Sequence, residues 1–340
     1  MHMLWSFTVL ALLGAGPTAA APLRVCATVP DLASLVRAVG GDEVEVTSFA
    51  KGTEDPHFVE AKPSFVKALS QADLLVVSGL DLELGYLPVL VENARNPPIM
   101  LGGRGYLDAS RAIAPLEVPA GVVDRSMGDI HPYGNPHYLL DPLNGLAVAD
   151  LLQQKLAELR PARREDFARR YAAFRDELGV RLVGEALARK YEFEKLATLS
   201  QLGKLDGFLD AQGDGGRLAG WLGRMRPHRG TKAVDDHRLW VYFAQRFGLE
   251  VVAHMEPRPG IPPTTRHLAE VVALMRAENV RLILASSYYD PRHARFLAEQ
   301  TGARIASLAN QVGARPGAED YLAMVGYNVE AVATALGGPS

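Results

Sequence analysis

The sequence predicts an α/β protein of two lobes, each a mostly parallel sheet flanked by helices, joined by one long helix. Three observations carry that expectation. Short apolar runs alternate with stretches of helical periodicity in two separate blocks, the pattern of parallel sheets covered by helices on both faces. A long amphipathic stretch stands between the blocks, near mid-chain. The chain has 340 residues, enough for about two domains at roughly 150 residues each.

In the first block, Leu23 to Val29 is an apolar run fit for a buried strand, and Asp31 to Val39 then follows a helical period. Cys26 falls inside that strand and is expected there as a small buried hydrophobe. Further strands are expected at Val44–Phe49, Leu74–Ser78 and Ile99–Leu101, with a helix opening near Pro63-Ser64. From Pro161 one long helix is expected: Phe167, Tyr171, Phe174, Leu178 and Leu182 recur at steps of 4, 3, 4 and 4, which puts all five on one stripe. Helical pieces around Phe193 to Leu209 and a Gly-rich break at Gly213–Gly216 are set apart as an insertion or an extra helical pair. The second block has strands at Thr231–Val234, Leu249–Ala253, Leu282–Ala285 and Arg304–Ala306. Its helices are expected at Thr265–Ala277, Pro291–Thr301 and about Ala318 to Leu336. Ligands of such sheets bind outside the carboxyl ends of the strands.

Composition narrows the function. Lys and Arg number 36 against 39 Asp and Glu, a net charge of −3. That balance argues against nucleic-acid binding and against a polybasic membrane binder. One cysteine supplies neither an internal disulfide nor a Cys-based zinc or redox motif, so any metal chemistry must come from His, Asp and Glu. Leu4 to Gly16 is an uncharged apolar run, and Thr18-Ala19-Ala20-Ala21 follows as a small-residue cleavage stretch. Residues 1–20 are therefore expected to be a signal peptide, although no Lys or Arg precedes Trp5. The run is shorter than the roughly 20 residues of a bilayer span. A soluble periplasmic product is the expected end state.

Nine histidines occur. His2 belongs to the signal, and His228, His254, His267 and His293 stand singly on expected helix or loop surfaces. Four others have a different setting. His57 lies in Glu54-Asp55-Pro56-His57 after a strand, His131 in Asp129-Ile130-His131-Pro132, His137 in Gly134-Asn135-Pro136-His137-Tyr138, and His237 after the strand at Ala233-Val234. Imidazole suits zinc and other borderline divalent ions, and loops at strand ends can bring together ligands distant in sequence. Pro beside His57 and His137 stiffens the backbone there. Asp55, Asp129, Asp141 and Asp236 are either partners for imidazole N–H groups or helix caps and solvated charges. On the residues alone, a metal site and isolated histidines both remain open.

Longer motifs add weight. The first block contains D-P-H-F-V-E-A-K-P-S at Asp55–Ser64, A-D-L-L-V-V-S-G-L-D-L-E at Ala72–Glu83 and G-N-P-H-Y-L-L-D-P at Gly134–Pro142. The second contains R-G-T-K-A-V-D-D-H-R-L-W-V-Y-F-A-Q-R-F-G-L at Arg229–Leu249, E-P-R-P-G-I-P-P-T at Glu256–Thr264 and D-Y-L-A-M-V-G-Y-N-V at Asp320–Val329. In this order and spacing the chain resembles the zinc- and manganese-specific solute-binding proteins of bacterial ABC importers, the class known as cluster A-I, over nearly all of its mature length.

The resemblance implies a division into residues 21–160 as an N-terminal metal-binding lobe, 161–190 as the connecting helix and 191–340 as a C-terminal lobe, with an insertion over 191–216. It implies that His57, His137 and His237 match the family's three metal-binding histidines, the first two from one lobe and the third from the other. His at the third position resembles zinc-type members, whereas manganese-type members tend to have Glu there, so Zn2+ is expected ahead of Mn2+. The departure is at the fourth ligand, an Asp in many members, where the alignment puts Asn310. The fourth position is then water, or Asp290 after its own strand. By its position six residues before His137, apart from the resemblance, His131 is a candidate accessory or capture ligand. No H-E-x-x-H helix and no Ser or Cys nucleophile motif is present, which turns the expectation away from an enzyme. A monomer that hands a divalent ion to an inner-membrane ABC permease is the implied function; a zinc-dependent periplasmic enzyme, or an adhesin on the same scaffold, is the alternative.

Overall fold

Leu23–Ala27 (β1) is buried at four of its five positions, as a strand covered on both faces must be. It forms the interior of a parallel sheet of order β2-β1-β3-β4, with β2 at Val44–Ser48, β3 at Leu74–Val77 and β4 at Tyr106–Asp108. The second sheet repeats that order as β6-β5-β7-β8, with β5 at Lys232–Asp235, β6 at Glu250–His254, β7 at Leu282–Ala285 and β8 at Arg304–Ser307. The structure is a computed structural model and describes residues 21–121, 131–258 and 260–337. The expected signal peptide lies outside the described residues.

Most expected elements fall within two or three residues of their places, because each carries its own period and stop signals. Pro30–Gly40 and Pro63–Ser70 both open with Pro in the first turn, where the missing N–H costs nothing. Thr265–Ala277 begins at Thr264, whose side chain accepts the His267 N–H. One strand differs. Ile99–Leu101 is no strand: Pro97–Ile99 is a 3-10 turn, and β4 falls instead at Tyr106–Asp108, where Tyr106 pairs with Leu75. Pro97 and Pro98 lack the N–H groups a ladder needs, so apolar character alone misplaced the strand.

The long mid-chain helix is Arg164–Val183, and Phe167, Phe174, Leu178 and Leu182 are buried along it. It packs on the helices Pro30–Gly40 and Pro142–Leu159 of the first lobe and on Gly220–Met225 beyond the connection. One apolar core therefore runs from Val25 through Phe167 and Leu178 to Leu284. Cys26 lies in β1 and is buried, and burial pushes its thiol up to about 12.

Polar groups clip the lobes together as well. Arg246 forms a bidentate pair with Asp141, Nε to Oδ1 at 2.8 Å and Nη2 to Oδ2 at 2.7 Å, with both side chains under one-tenth exposed. Asp31 accepts the Val312 N–H at 3.2 Å, and the Tyr321 hydroxyl donates to the Leu139 carbonyl at 2.7 Å. Gly52 allows the His57 loop to lie against the segment after β8, since a Cβ there would stand 2.3 Å from the Val312 carbonyl oxygen.

Candidate metal centre

Three loops leave the carboxyl ends of the strands and meet between the lobes. His57 follows β2, His137 sits in the connection after β4, and His237 lies two residues beyond β5. One ligand atom from each of the three lies within 4.8 Å of the others, while 80 and 100 residues of chain separate them. His57 is half-buried and the other two are buried.

Each ring is held from behind. Asp55 accepts the His57 backbone N–H at 3.0 Å and faces Nδ1 of the ring at 2.7 Å, which leaves Nε2 turned toward the other histidines. Burial works to raise the Asp55 carboxyl, but the His57 hydrogen bonds and the nearby imidazoles outweigh it and hold the group below its ordinary value. Nδ1 of His237 lies 3.0 Å from Glu256 Oε2, which also accepts the Gly260 N–H at 2.9 Å. A carboxylate behind an imidazole fixes its tautomer and orientation and raises its basicity as a ligand.

His137 is set by the turn that precedes it. Gly134 has φ +108°, and a Cβ there would stand 2.9 Å from the Leu116 carbonyl oxygen. Asn135 Oδ1 accepts the His137 N–H at 3.0 Å, and Nδ2 of the same side chain donates to the Arg238 carbonyl at 2.6 Å. The Tyr242 hydroxyl donates to the Asn135 carbonyl at 2.8 Å. One asparagine thus ties the His137 turn to the residue that follows His237. Nε2 of His137 is buried and has no hydrogen-bond partner. Burial, followed by the neighbouring imidazoles of His57, His237 and His131, pushes His137 well below the usual histidine range, so the ring is neutral. A neutral, buried and unpartnered imidazole nitrogen is a donor suited to a borderline divalent ion.

A fourth imidazole approaches from the same loop. His131 Nε2 lies 3.1 Å from His57 Nε2, with the rings stacked at 5.2 Å between centroids. Asn310 is buried after β8 and borders, with His137, a cavity of about 30 Å³. Its Oδ1 is taken by the Ser287 hydroxyl at 2.7 Å. Asp290 is not brought to the three histidines. Its Oδ1 accepts the Arg292 N–H at 2.9 Å as the cap of the helix Pro291–Thr301, and its other oxygen pairs with the Arg292 guanidinium.

The remaining acids separate by partner. Asp55 supports a histidine, Asp141 caps the helix Pro142–Leu159 and pairs with Arg246, and Asp236 accepts the Ser286 N–H at 2.5 Å. Asp129 lies outside the described residues. Sequence reasoning missed Glu256, although it opens the motif E-P-R-P-G-I-P-P-T. The signal was the spacing: β5 and β6 pair Asp235 with His254, and His237 and Glu256 each stand two residues further along.

Comparison with known proteins gives the family. The model of the family described as zinc-uptake complex component A, periplasmic (ZnuA), matches residues 25–181 and 223–335. The residues left unmatched include the helices Glu185–Lys190, Phe193–Gln201 and Leu205–Ala211. The metal ABC transporter substrate-binding lipoprotein ScbA of Streptococcus cristatus is 24% identical over 325 residues, covering 94% of this chain and 90% of its own. The manganese ABC transporter substrate-binding lipoprotein PsaA of Streptococcus anginosus is 23% identical, covering 94% and 91%. A crystal structure of ZnuA superposes with a TM-score of 0.65 at 21% identity, covering 92% of this chain and 98% of that one. Two parallel-sheet lobes, a long helix between them and a family match over most of the sequence lead to one conclusion: the chain belongs to the ZnuA family of substrate-binding proteins of metal ABC transporters.

Proposed function

We propose that this protein is a periplasmic zinc-binding protein that captures the ion between its lobes and delivers it to an ABC permease of the inner membrane. The observation that carries the reading is the convergence of His57, His137 and His237, two from the first lobe and one from the second, with their ligand atoms within 4.8 Å and Nε2 of His137 buried without a partner. Neutral imidazoles take zinc at about 2.0–2.1 Å per nitrogen, and the all-nitrogen set favours zinc over manganese, which prefers oxygen donors. The supporting carboxylates Asp55 and Glu256 hold two rings in the tautomer that presents Nε2. Protons compete for the same nitrogens, so affinity falls as pH drops.

Capture by ligands from both lobes favours the state in which the lobes are ordered against each other. The core shared across the long helix and the Arg246–Asp141 pair support small rather than wide opening on release. Export through residues 1–20 and action as a monomer complete the reading. The test is metal content and competition titration of the chain from Ala21, beside His137→Ala. One equivalent of tightly held zinc, lost in the variant, is the expected result. No stoichiometric metal, or binding that survives the substitution, overturns the function.

A further inference from the structure

We propose that His131 is itself a ligand of the cargo ion, so that four imidazoles, from His57, His131, His137 and His237, make a nitrogen-only site. This deepens the zinc-capture reading and rests on it. Two nitrogens bound to one tetrahedral ion at about 2.0–2.1 Å stand roughly 3.3 Å apart. The Nε2 atoms of His57 and His131 are 3.1 Å apart, so the pair is already at nearly the separation of two ligands on one ion. His57, His137 and His237 are the set whose ligand atoms lie within 4.8 Å of one another, and His131, outside that set, reaches it through His57.

The proton positions point the same way. Nδ1 of His57 faces Asp55 at 2.7 Å, and a neutral ring so placed carries its proton there, leaving a lone pair at Nε2. Burial, followed by the imidazoles of His57 and His237, pushes His131 down to about 3, against a backbone hydrogen bond with Leu80. An ion shared by the two rings takes a lone pair from each Nε2. Two lone pairs facing each other at 3.1 Å repel unless a cation lies against both, and a divalent ion supplies it. Asn310, a neutral amide, has its oxygen engaged by the Ser287 hydroxyl. A fourth nitrogen donor from His131 raises the preference for zinc over manganese.

The test uses the chain from Ala21 and its variants His131→Ala and His131→Gln, with thermal melts of the metal-free proteins to establish folding. Competition titrations with zinc and the visible spectrum of the Co2+-loaded proteins are the readouts. Loss of an orienting partner costs about 10–100-fold in metal affinity; both His131 variants are expected to lose about 100-fold or more, and the four-coordinate Co2+ bands of the parent should weaken as water enters. The competing arrangement is an N–H···N bond in which His131 blocks His57, and it predicts the opposite sign: both variants would bind zinc more tightly. Tighter zinc binding, or affinity within about threefold of the parent with an unchanged Co2+ spectrum, overturns the role of His131. If His137→Ala still abolishes binding in that case, the transport reading stands alone; if the parent binds no zinc, both fail.

Discussion

Nδ1 of His237 lies 3.0 Å from Glu256 Oε2, and the pair stands two residues beyond Asp235 and His254, which are paired neighbours on β5 and β6 and lie 2.5 Å apart, Oδ1 to Nδ1. Parallel register places two acid–imidazole pairs in succession along the same edge, one with the acid on β5 and the next with the imidazole after it. Only the second pair turns its free ring nitrogen toward His57 and His137. The second lobe's part of the candidate metal centre is thus an extension of sheet register into the loops.

Glu256→Gln tests that support. The amide keeps the size but weakens the hold on the Nδ1 proton and the basicity it lends. Zinc affinity is expected to fall about 10–100-fold, less than in His237→Ala, by competition titration.

Asp290→Ala should separate cap from ligand. With Asp290 serving the N–H and guanidinium of Arg292, the substitution is expected to cost about 1 kcal/mol of stability. Zinc affinity should stay within about threefold of the parent, since no ligand or orienting partner is removed. A loss comparable with that of His137→Ala would return Asp290 to the site.

Arg246→Ala leaves the Asp141 carboxylate without its bidentate partner between the lobes. Breaking a buried pair from one side costs about 3–5 kcal/mol, read as a lowered urea midpoint. Zinc at about 100 times its Kd should restore about 2.7 kcal/mol by mass action.

Glu83 gives a pH signature. It accepts from the Thr28 hydroxyl at 2.5 Å and the Ser78 N–H at 2.6 Å, yet burial raises its carboxyl to about 7. Asp31 is raised to about 7 by the same cause. An acid raised in the native chain holds a proton there that the unfolded chain has already released. The stability these two acids contribute is therefore fully present below the unfolded value, near 4, and is lost as pH rises toward 7. Urea midpoints of the metal-free protein at pH 5 and pH 8 check this. Glu83→Gln is expected to reduce the decline by on the order of 1–3 kcal/mol; an unchanged slope would show that Glu83 is not its source.

Much of the molecule was legible in local signals. The helices Thr265–Ala277 and Pro291–Thr301 and the strand Leu282–Ala285 fall at their expected bounds, because period, cap and Pro lie within the segments themselves. The Phe167 to Leu182 stripe foretold the long helix in the same way. Apolar runs without a stop signal served less well, as Ile99–Leu101 shows beside Pro97 and Pro98.

His57, His137 and His237 stood out in the sequence by their loops and by resemblance, but their partners did not. Asp55 is two residues from His57 and could be guessed, whereas Glu256 is nineteen from His237 and becomes a neighbour only through the β5–β6 register. Asp141 and Arg246 lie 105 residues apart and meet only because the lobes close on a common core. By itself the sequence determined the order of strands and helices and singled out three histidines in loops at strand ends as candidates, since these depend on residue type and short-range period. Tertiary structure decided that Asp290 is a cap, that Asn310 is tied to Ser287, and that His131 reaches His57, because each depends on distances across loops that no local pattern encodes.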